Sequence, residues 1–319
     1  MVNYKNPLKI VFFGTPEFAR FCLQELFSKG FIIKAVVTVP DRKAGRGNKY
    51  KKSAVKSYAE NNGFLIFQPR NLKSVEFIKD LRRIGADAFV VVAFRMLPKV
   101  VWNIPDLGSI NLHASLLPNY RGAAPINWAL INGEKFTGVT TFLINEQIDT
   151  GSILMQKEIL ISENDNAESL SDKLLKIGIP ILIKTLLSLN EKVISPNAQK
   201  LSGNEKLAIK LTKENTMING NNSLKQIKNF VRGLSPYPGA WTNLIANESS
   251  EKIKIFEADI IYETHSYPTN LILIKRKKIY ITHKEGFLNC IEIQLPNKRR
   301  MNATALLNGY KFSTNSSVF

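Results

Sequence analysis

Residues 9–39 read KIVFFGTPEFARFCLQELFSKGFIIKAVVTV, and this stretch indicates the fold class. Lys9 to Phe13 is a short apolar run of β-branched and aromatic residues, which is typical of a buried parallel strand. The apolar residues that follow have helical spacing: Phe18, Phe21, Cys22 and Leu26. Phe31 to Val39 predicts a second strand. A strand, a helix and a strand in this order predict a βαβ unit, whose two strands are parallel.

The turn between the first strand and the helix is Gly14-Thr15-Pro16-Glu17. We expect Thr15 to cap the helix, Pro16 to take the first helical position, and Glu17 to favour the positive helix terminus. The turn lacks the G-x-G-x-x-G pattern of dinucleotide-binding folds. This argues against a nicotinamide-dependent oxidoreductase.

The alternation of strands and helices continues through the first half of the chain. Further helices are predicted over 55–61, 75–83 and 167–189, the last capped by Asn164, Asp165 or Asn166, and further strands over 64–67, 86–94, 107–112 and 138–144. The last third shows a helical stretch and then short β-type runs, at 224–231, 253–256, 270–274, 278–282 and 290–294. The fold class that follows is α/β. We expect a Rossmann-like, mostly parallel sheet with helices on both faces, followed by a small C-terminal β-barrel.

Domain boundaries follow from where the alternation stops. After Asn190 the pattern decays into polar, linker-like segments such as 195–199 and 219–222. We therefore predict a first domain over 1–190, a linker over 191–210 and a C-terminal domain over 211–319.

The composition restricts the class of protein. The 319 residues include 44 Lys or Arg and 26 Asp or Glu, a formal charge of +18, which suggests a polyanionic partner such as nucleic acid. Cys22 and Cys290 are too few for a disulfide framework or a structural zinc site. No apolar run approaches the roughly 18 residues of a membrane span. We expect a cytoplasmic protein without a membrane partner.

Residues 108–151 read GSINLHASLLPNYRGAAPINWALINGEKFTGVTTFLINEQIDTG and carry the candidate chemistry. Asn111 and His113 are two apart near the end of a predicted strand, so their side chains share a face at the edge where α/β sheets bind ligands. Asp149 follows a later strand. An amide that can donate to an oxyanion, an imidazole that moves protons and a carboxylate that orients it suit an acyl transfer. Taken alone, the Asn-x-His pair is weak evidence for a catalytic site. Asp149 before Thr-Gly also fits a plain turn.

Five motifs in this segment resemble the signature of the 10-formyltetrahydrofolate-dependent formyltransferases. They are Asn111-Leu-His113, Ser115-Leu-Leu-Pro118, Arg121-Gly-Ala-Ala-Pro125, Thr137-Gly-Val-Thr140 and Asp149-Thr-Gly151. Three other stretches resemble the members of this family that act on tRNA: Phe13 to Phe18, Pro40 to Gly47 and Leu234 to Trp241. One departure is Arg95, which stands where the family often has glycine.

This resemblance implies transfer of the formyl group of 10-formyltetrahydrofolate to the α-amino group of methionyl initiator tRNA. It implies Asn111 as the oxyanion donor, His113 as donor or proton acceptor, and Asp149 as the residue that orients His113 and assists proton movement. It also implies contacts to the folate cosubstrate from two segments, and no metal. The expected folate contacts are Ser115, Leu116, Leu117, Pro118, Phe94 and Met96.

Residues 41–56, DRKAGRGNKYKKSAVK, contain seven Lys or Arg and one acid. Most such runs are solvated surface. By resemblance, however, this segment enters the acceptor stem of tRNA, where its cations would contact phosphates and Tyr50 could stack. The expected tRNA contacts are Arg42, Lys43, Arg46, Lys49 and Lys51. The C-terminal barrel is expected to be oligonucleotide-binding-like and to contact tRNA as well, and the protein is expected to be a monomer.

Besides a folate hydrolase with the same motif, which is the least favoured alternative, two other functions remain open at this point. One is a formyltransferase that acts on a small amine, such as glycinamide ribonucleotide or an amino sugar; the basic segment argues against it, because a small substrate does not need such a surface. The other is a non-enzymatic RNA-binding protein; the intact Asn111, His113 and Asp149 argue against that.

Overall fold

The computed structural model describes residues 7–44, 49–246 and 249–319. The chain divides into two compact units, each assembled from separate segments. The first unit comprises Met1–Gly122, Thr137–Ile159 and Ser171–Lys206, and the second comprises Ala123–Phe136, Leu160–Leu170 and Leu207–Phe319. The domain boundaries at 190 and 210 stay a prediction, because compactness does not say which segments work together in function.

The first half of the chain alternates strands and helices. The strands are β1 (Lys9–Gly14), β2 (Ile32–Val37), β3 (Arg42–Ala44), β4 (Lys49–Lys51), β5 (Ile66–Phe67), β6 (Ala88–Val92), β7 (Ser109–His113), β8 (Arg121–Gly122), β9 (Phe136–Leu143) and β10 (Ile153–Leu160). The helices are α1 (Glu17–Ser28), α2 (Ala54–Asn61), α3 (Val75–Ile84), α4 (Lys99–Trp102), α5 (Pro125–Ile131) and α6 (Ala167–Asn190).

Seven of these strands form one sheet, in the order β10-β9-β7-β6-β1-β2-β5. The five strands from β7 to β5 run parallel to their neighbours, whereas β9 is antiparallel to β7. The prediction of a mostly parallel sheet is confirmed. Strand β9 therefore runs in the opposite direction beside β7, the strand that carries Asn111 and His113.

Helices cover both faces of this sheet, as predicted. On one face, Val11, Phe13 and Phe89 belong to a buried cluster that also contains Phe77 of α3 and Val101 of α4. On the other face, Gly178 of α6 packs so closely that an added Cβ would lie 3.3 Å from Leu112. Asn111 and His113 alternate with Leu112 along β7 and therefore lie on the face of α3 and α4.

The ends of two helices test the predicted caps. Helix α1 has Pro16 at its N-cap position without a side-chain hydrogen bond, so the prediction that Thr15 caps it is wrong. Pro16 has an extended backbone, with φ −80° and ψ 179°, and the helix begins at Glu17. The prediction that Pro16 takes the first helical position is therefore also wrong, and Thr15 is left outside the first turn. At α6, Asn166 is the cap among the predicted candidates, because its Oδ1 accepts from the backbone N–H groups of Glu168 (3.0 Å) and Ser169 (2.9 Å).

The C-terminal third is dominated by antiparallel strands. Its elements are β11 (Leu207–Ala208), a short 3₁₀ turn (Glu214–Thr216), α7 (Leu224–Gly233), β12 (Ala240–Ala246), β13 (Ser249–Tyr262), β14 (Ile272–Lys275), β15 (Lys278–His283), β16 (Gly286–Gln294), β17 (Met301–Asn302), α8 (Ala303–Leu307) and β18 (Ser317–Val318). Strands β12 to β18 form a sheet in the order β14-β15-β16-β13-β12-β18, with β17 paired to β16.

This sheet curls until its two ends meet. The backbone N–H of Ile272 donates to Ser316 O at 2.8 Å, and that of Val318 donates to Asn270 O at 2.9 Å. These bonds join the start of β14 to β18 and close the ring, which confirms the predicted barrel. Helix α7 contributes Leu224 to the barrel's apolar core. None of the described helices combines the length and the apolar character needed to cross a bilayer.

Candidate active site

The carboxyl ends of the parallel strands β1, β6 and β7 lie at one edge of the sheet. Gly14 pairs with Val92, and Val91 pairs with Asn111, so these three strands end side by side. Parallel strands present ligand sites at this edge, because loops and helix termini leave a crevice there. Asn111 and His113 therefore lie near the edge of the sheet where a ligand can bind.

His113 is nearly buried, with 7% of its surface exposed. Its Nε2 lies 2.8 Å from the backbone carbonyl oxygen of Tyr120. A carbonyl only accepts hydrogen bonds, so Nε2 carries the proton and Nδ1 is the basic nitrogen of the neutral ring. Nδ1 lies 3.7 Å from Oδ2 of Asp149. A proton accepted at Nδ1 would therefore form an imidazolium beside a carboxylate.

Asp149 is held in a turn between β9 and β10. Its φ of 54° is left-handed, which costs a non-glycine residue about 1–3 kcal/mol and persists only where surrounding contacts impose it. Its Oδ2 accepts the backbone N–H of Gly122 at 2.8 Å. Gly151 closes the turn without a side chain, because an added Cβ would lie 1.6 Å from Leu143 O. The turn thus presents the carboxylate to His113.

Asn111 lies on the same face of the sheet as His113. Its Oδ1 is buried and has no hydrogen-bond partner in the described part of the chain. Its neighbours across the sheet are Val91 and Phe142, both apolar. A buried amide oxygen without a partner costs free energy unless a ligand supplies the missing hydrogen bond. This favours a ligand with a polar group at Asn111.

The predicted folate contacts Ser115 to Pro118 lie in the loop after β7, which is held by hydrogen bonds. The Ser115 hydroxyl donates to Asn119 O at 2.7 Å, and the backbone N–H of Leu117 donates to the Thr140 hydroxyl at 3.1 Å. The Leu117 side chain is buried, whereas Leu116 and Pro118 are partly exposed. The loop is therefore fixed at the end of the strand that carries His113.

The other two predicted folate contacts follow β6. The Phe94 ring packs on Phe13, with ring centroids 5.7 Å apart, and Met96 is 60% exposed. Between them, the guanidinium of Arg95 donates to the backbone carbonyls of Arg70, at 3.0 Å, and Pro69. Burial, and then the charge of Arg42, lower the pKa of Arg95. The unusual arginine is thus bonded to a neighbouring loop.

The basic segment forms a two-stranded antiparallel ribbon in its described part. Arg42 of β3 pairs with Lys51 of β4, and both side chains are exposed. Tyr50 is 69% exposed. The backbones of Lys43 and Lys49 belong to the ribbon. Arg46 lies outside the described residues.

Comparison with known proteins identifies the family. Residues 8–186 match the family described as formyl transferase, and residues 210–311 match its C-terminal domain. A methionyl-tRNA formyltransferase of Flavobacterium johnsoniae is 46% identical over 312 residues, covering 98% of this chain and 99% of that protein. The chain belongs to the formyl transferase family. The methionyl-tRNA formyltransferase of Bacteroides thetaiotaomicron is 43% identical over 314 residues and is covered to 98%.

A solved structure shows that this formyl transferase shares its fold with a distant protein. HypX from Aquifex aeolicus, solved in complex with tetrahydrofolic acid, matches with a TM-score of 0.65 at 15% identity. The match covers 95% of this chain and 47% of that chain. At this identity the likeness concerns the fold alone. The resemblance found in the sequence motifs is confirmed at the level of the family.

Some groups of the candidate site were not singled out from the sequence. The carbonyl of Tyr120 and the N–H of Gly122 are backbone groups, which every residue type other than proline carries, so the sequence does not indicate them. Gln199 lies in a stretch that looks like a linker, yet its amide bonds to the turn of Asp149. Across the described ranges, no group of three or more His, Cys, Asp and Glu side chains could hold a metal ion.

Proposed function

We propose that this formyl transferase transfers the formyl group of 10-formyltetrahydrofolate to the α-amino group of methionyl initiator tRNA, giving N-formylmethionyl-tRNA for translation initiation. The observation that carries the proposal is the buried imidazole of His113 with its basic Nδ1 turned toward Asp149, 3.7 Å away. The names of the two full-length relatives support the choice of acceptor.

The residues fit a formyl donor. The Oδ1 of Asn111 is buried and has no partner among the described residues, so it offers an acceptor, and the same amide carries N–H donors. A formyl carbonyl that becomes an oxyanion needs a donor there, and the attacking amine has N–H groups for the acceptor. We assign the folate contacts to Ser115, Leu116, Leu117 and Pro118 of the loop after β7 and to Phe94 and Met96 after β6.

The reaction needs proton movement more than activation of the nucleophile. A free α-amino group has a pKa of about 7.7–8.0, so a useful neutral fraction exists near pH 7. Its nitrogen attacks the formyl carbon, the new C–N bond forms, and the carbonyl electron pair moves onto oxygen. Asn111 donates to this oxyanion. When the oxyanion collapses, the bond to the folate nitrogen breaks and that nitrogen needs a proton.

His113 and Asp149 move this proton. The amine becomes positively charged on attack, and Nδ1 of His113 is the base that can accept its proton. The resulting imidazolium is stabilised by the carboxylate of Asp149 while Nε2–H stays bonded to Tyr120 O. Return of the proton to the folate nitrogen completes the transfer and leaves tetrahydrofolate. Atoms and charge balance without a metal ion in the scheme.

The tRNA is bound by the basic surface. We assign contacts with the acceptor stem to Arg42, Lys43, Lys49 and Lys51 of the ribbon, and to Arg46 of the same basic segment, which lies outside the described residues. In this proposal residues 1–190 are the catalytic domain and residues 211–319, linked by 191–210, are a tRNA-binding barrel. We propose that the enzyme works as a monomer in the cytoplasm, where initiator tRNA is used.

The test is a formylation assay with 10-formyltetrahydrofolate and four acceptors in parallel: charged initiator methionyl-tRNA, free methionine, glycinamide ribonucleotide and an amino sugar nucleotide. We expect formylation of the charged tRNA alone. His113→Ala should abolish transfer while tRNA affinity, measured by filter binding, stays within about twofold, because the ring is nearly buried.

Other outcomes would reassign the function. Formylation of a small amine would keep the chemistry and reject tRNA as the acceptor. tRNA binding without transfer to any acceptor would favour an RNA-binding protein. Loss of both transfer and tRNA binding in His113→Ala would give the histidine a structural role.

A further inference from the structure

Gln199 makes four hydrogen bonds with a single side chain. Its Nε2 donates to the backbone carbonyls of Asp149 and Gly151, both at 2.8 Å. Its Oε1 accepts from Nε (3.1 Å) and Nη2 (2.5 Å) of Arg121. The amide orientation follows from the partners, because carbonyls only accept and a guanidinium only donates. Every hydrogen-bonding site of the amide faces one of two segments, the turn of Asp149 or Arg121.

These two segments meet again at the carboxylate. Gly122, the neighbour of Arg121, donates its backbone N–H to Oδ2 of Asp149 at 2.8 Å. The same oxygen lies 3.7 Å from Nδ1 of His113. The distance from carboxylate to imidazole therefore depends on how the turn of Asp149 is placed against residues 121 and 122. Gln199 is a side chain that bonds to both.

Gln199 is itself held at a fixed place. Two residues earlier, Asn197 and Ile153 exchange backbone hydrogen bonds of 2.7 Å and 2.8 Å. This bridge attaches the segment to the first residue of β10, which follows the turn of Asp149. A short, anchored segment delivers the amide, so little conformational freedom remains to be lost when the hydrogen bonds form.

The turn needs such support. Asp149 keeps a left-handed φ of 54°, and its neighbour Ile148 is 59% exposed. The Thr150 hydroxyl donates to Asn145 Oδ1 at 2.9 Å, which stabilises the exposed part of the turn but does not set the direction of the carboxylate. Gln199, in contrast, donates to the backbone carbonyls of residues 149 and 151, on both sides of Thr150. These hydrogen bonds fix the backbone from which the carboxylate projects.

We propose that Gln199 is a positioning residue that holds the carboxylate of Asp149 against His113. The inference rests on the proposed role of Asp149 in proton movement. Gln199 touches neither substrate nor reacting atoms in this account, and it acts through the turn. A displacement of about 1 Å in a reacting constellation lowers rates about 10²-fold, which sets the size of the effect to expect.

The test measures kcat and both KM values for Gln199→Ala, Asp149→Asn and the double variant. We expect Gln199→Ala to lower kcat about 10- to 100-fold, with the KM for tRNA and folate changed less than about twofold. The matched control is Gln147→Ala, an exposed glutamine in the same turn, which should keep kcat within about twofold. Thermal unfolding of each variant checks that the fold is retained.

The double variant separates positioning from a structural role. If Gln199 acts through the carboxylate, its removal costs nothing further once the carboxylate is gone, so the double variant should equal Asp149→Asn in single-turnover rate. Multiplicative losses, or a Gln199→Ala effect confined to KM, would overturn the proposal. A wild-type rate in Asp149→Asn would instead reject the role of Asp149, and that result is recognisable without Gln199.

A second variant tests the two halves of the amide. Gln199→Glu keeps the acceptor for Arg121 but replaces the donor to the two carbonyls with a negatively charged oxygen. We expect it to lose at least as much kcat as Gln199→Ala. Activity near that of the wild type in Gln199→Glu would show that the bonds to Asp149 and Gly151 do not matter, and would contradict the proposal.

Discussion

At the scale of single residues, the site depends on backbone atoms as much as on side chains. The tautomer of His113 follows from the carbonyl of Tyr120, which has a left-handed φ of 61°. The direction of the Asp149 carboxylate follows from the N–H of Gly122. A substitution at Tyr120 or Gly122 keeps the backbone carbonyl or N–H group but can shift its position. The proposed chemistry is therefore sensitive to the path of the chain over 120–122.

Asn111 supports a prediction at this scale. Its amide is the proposed oxyanion donor, and loss of one such donor typically costs about 10²–10³ in kcat. We expect Asn111→Ala to lower kcat by that factor while the KM for tRNA stays nearly constant, measured by steady-state formylation. Asn103→Ala, an exposed asparagine after α4, is the control and should behave as the wild type. A loss under threefold in Asn111→Ala would remove Asn111 from the mechanism.

Arg95 shows how a departure from a family pattern is accommodated. A long side chain after β6 would obstruct a ligand only if it pointed into the site. Its Nη1 and Nη2 groups instead donate to the carbonyls of Arg70 and Pro69. Its Nε is buried and has no partner among the described residues. The substitution thus adds a connection between two loops at the sheet edge.

At the scale of elements, local sequence predicted where strands and helices lie better than how they pair. The run Lys9 to Phe13 and the spacing that follows it were sufficient for β1 and α1. The segment 138–144 was recognised as a strand, but an apolar pattern contains no direction, and β9 runs antiparallel to β7. β12, over Ala240–Ala246, was not predicted as a strand; its apolar residues follow a turn-rich motif.

The geometry of the candidate site was predictable in part, because local sequence shows which residues share one face of a strand. Asn111 and His113 are two residues apart on one strand, so period two was enough to put them on one face. Gln199 lies 50 residues from Asp149 in the sequence, in a polar stretch whose local pattern is that of a loop. Only the folded chain brings its amide to the turn. The contact is non-local, and local propensity carries no information about it.

The ribbon β3–β4 is anchored at its base by ion pairing. Nζ of Lys56 lies 2.6 Å from Oδ2 of Asp41, and Nε2 of Gln68 donates to Oδ1 of the same carboxylate at 2.9 Å. The hydrogen bond from Lys56, then that from Gln68, lowers the pKa of Asp41. Lys52 pairs with Glu60 at 2.7 Å. The acids near the base are thus already engaged by these cations.

Lys51 is therefore a suitable residue for testing tRNA binding by the ribbon. It is exposed and lies opposite Arg42 in the ribbon. We expect Lys51→Gln to weaken tRNA binding at low salt and to reduce the slope of log affinity against log salt by about 1, because one phosphate contact is lost. Binding titrations at several salt concentrations measure this. Lys79→Gln on α3 removes the same charge from another exposed position and should leave the slope unchanged. Equal slopes for Lys51→Gln and the wild type would contradict the assigned contact.

At the scale of the whole molecule, each compact unit has its own apolar core and one buried cysteine. Cys22 lies in α1 of the first unit and Cys290 in β16 of the second, both with 0% of their surface exposed. Burial raises the pKa of the Cys290 thiol to about 12 and raises that of Cys22 far above its usual range. Thiolates are the reactive species, so burial protects both residues by exclusion and by suppressing ionisation.

The two thiols report the unfolding of the two units separately. In native buffer at pH 8, we expect iodoacetamide to label neither cysteine over hours, since only about one buried Cys290 thiol in 10⁴ would be ionised. With increasing guanidinium chloride, peptide mass spectrometry should give each cysteine its own labelling midpoint, because Leu224 and its neighbours form a core distinct from that of Val11 and Phe13. Complete labelling of both at high denaturant is the control. Rapid labelling in native buffer would contradict the burial, and coincident midpoints would show that the two units unfold as one cooperative structure.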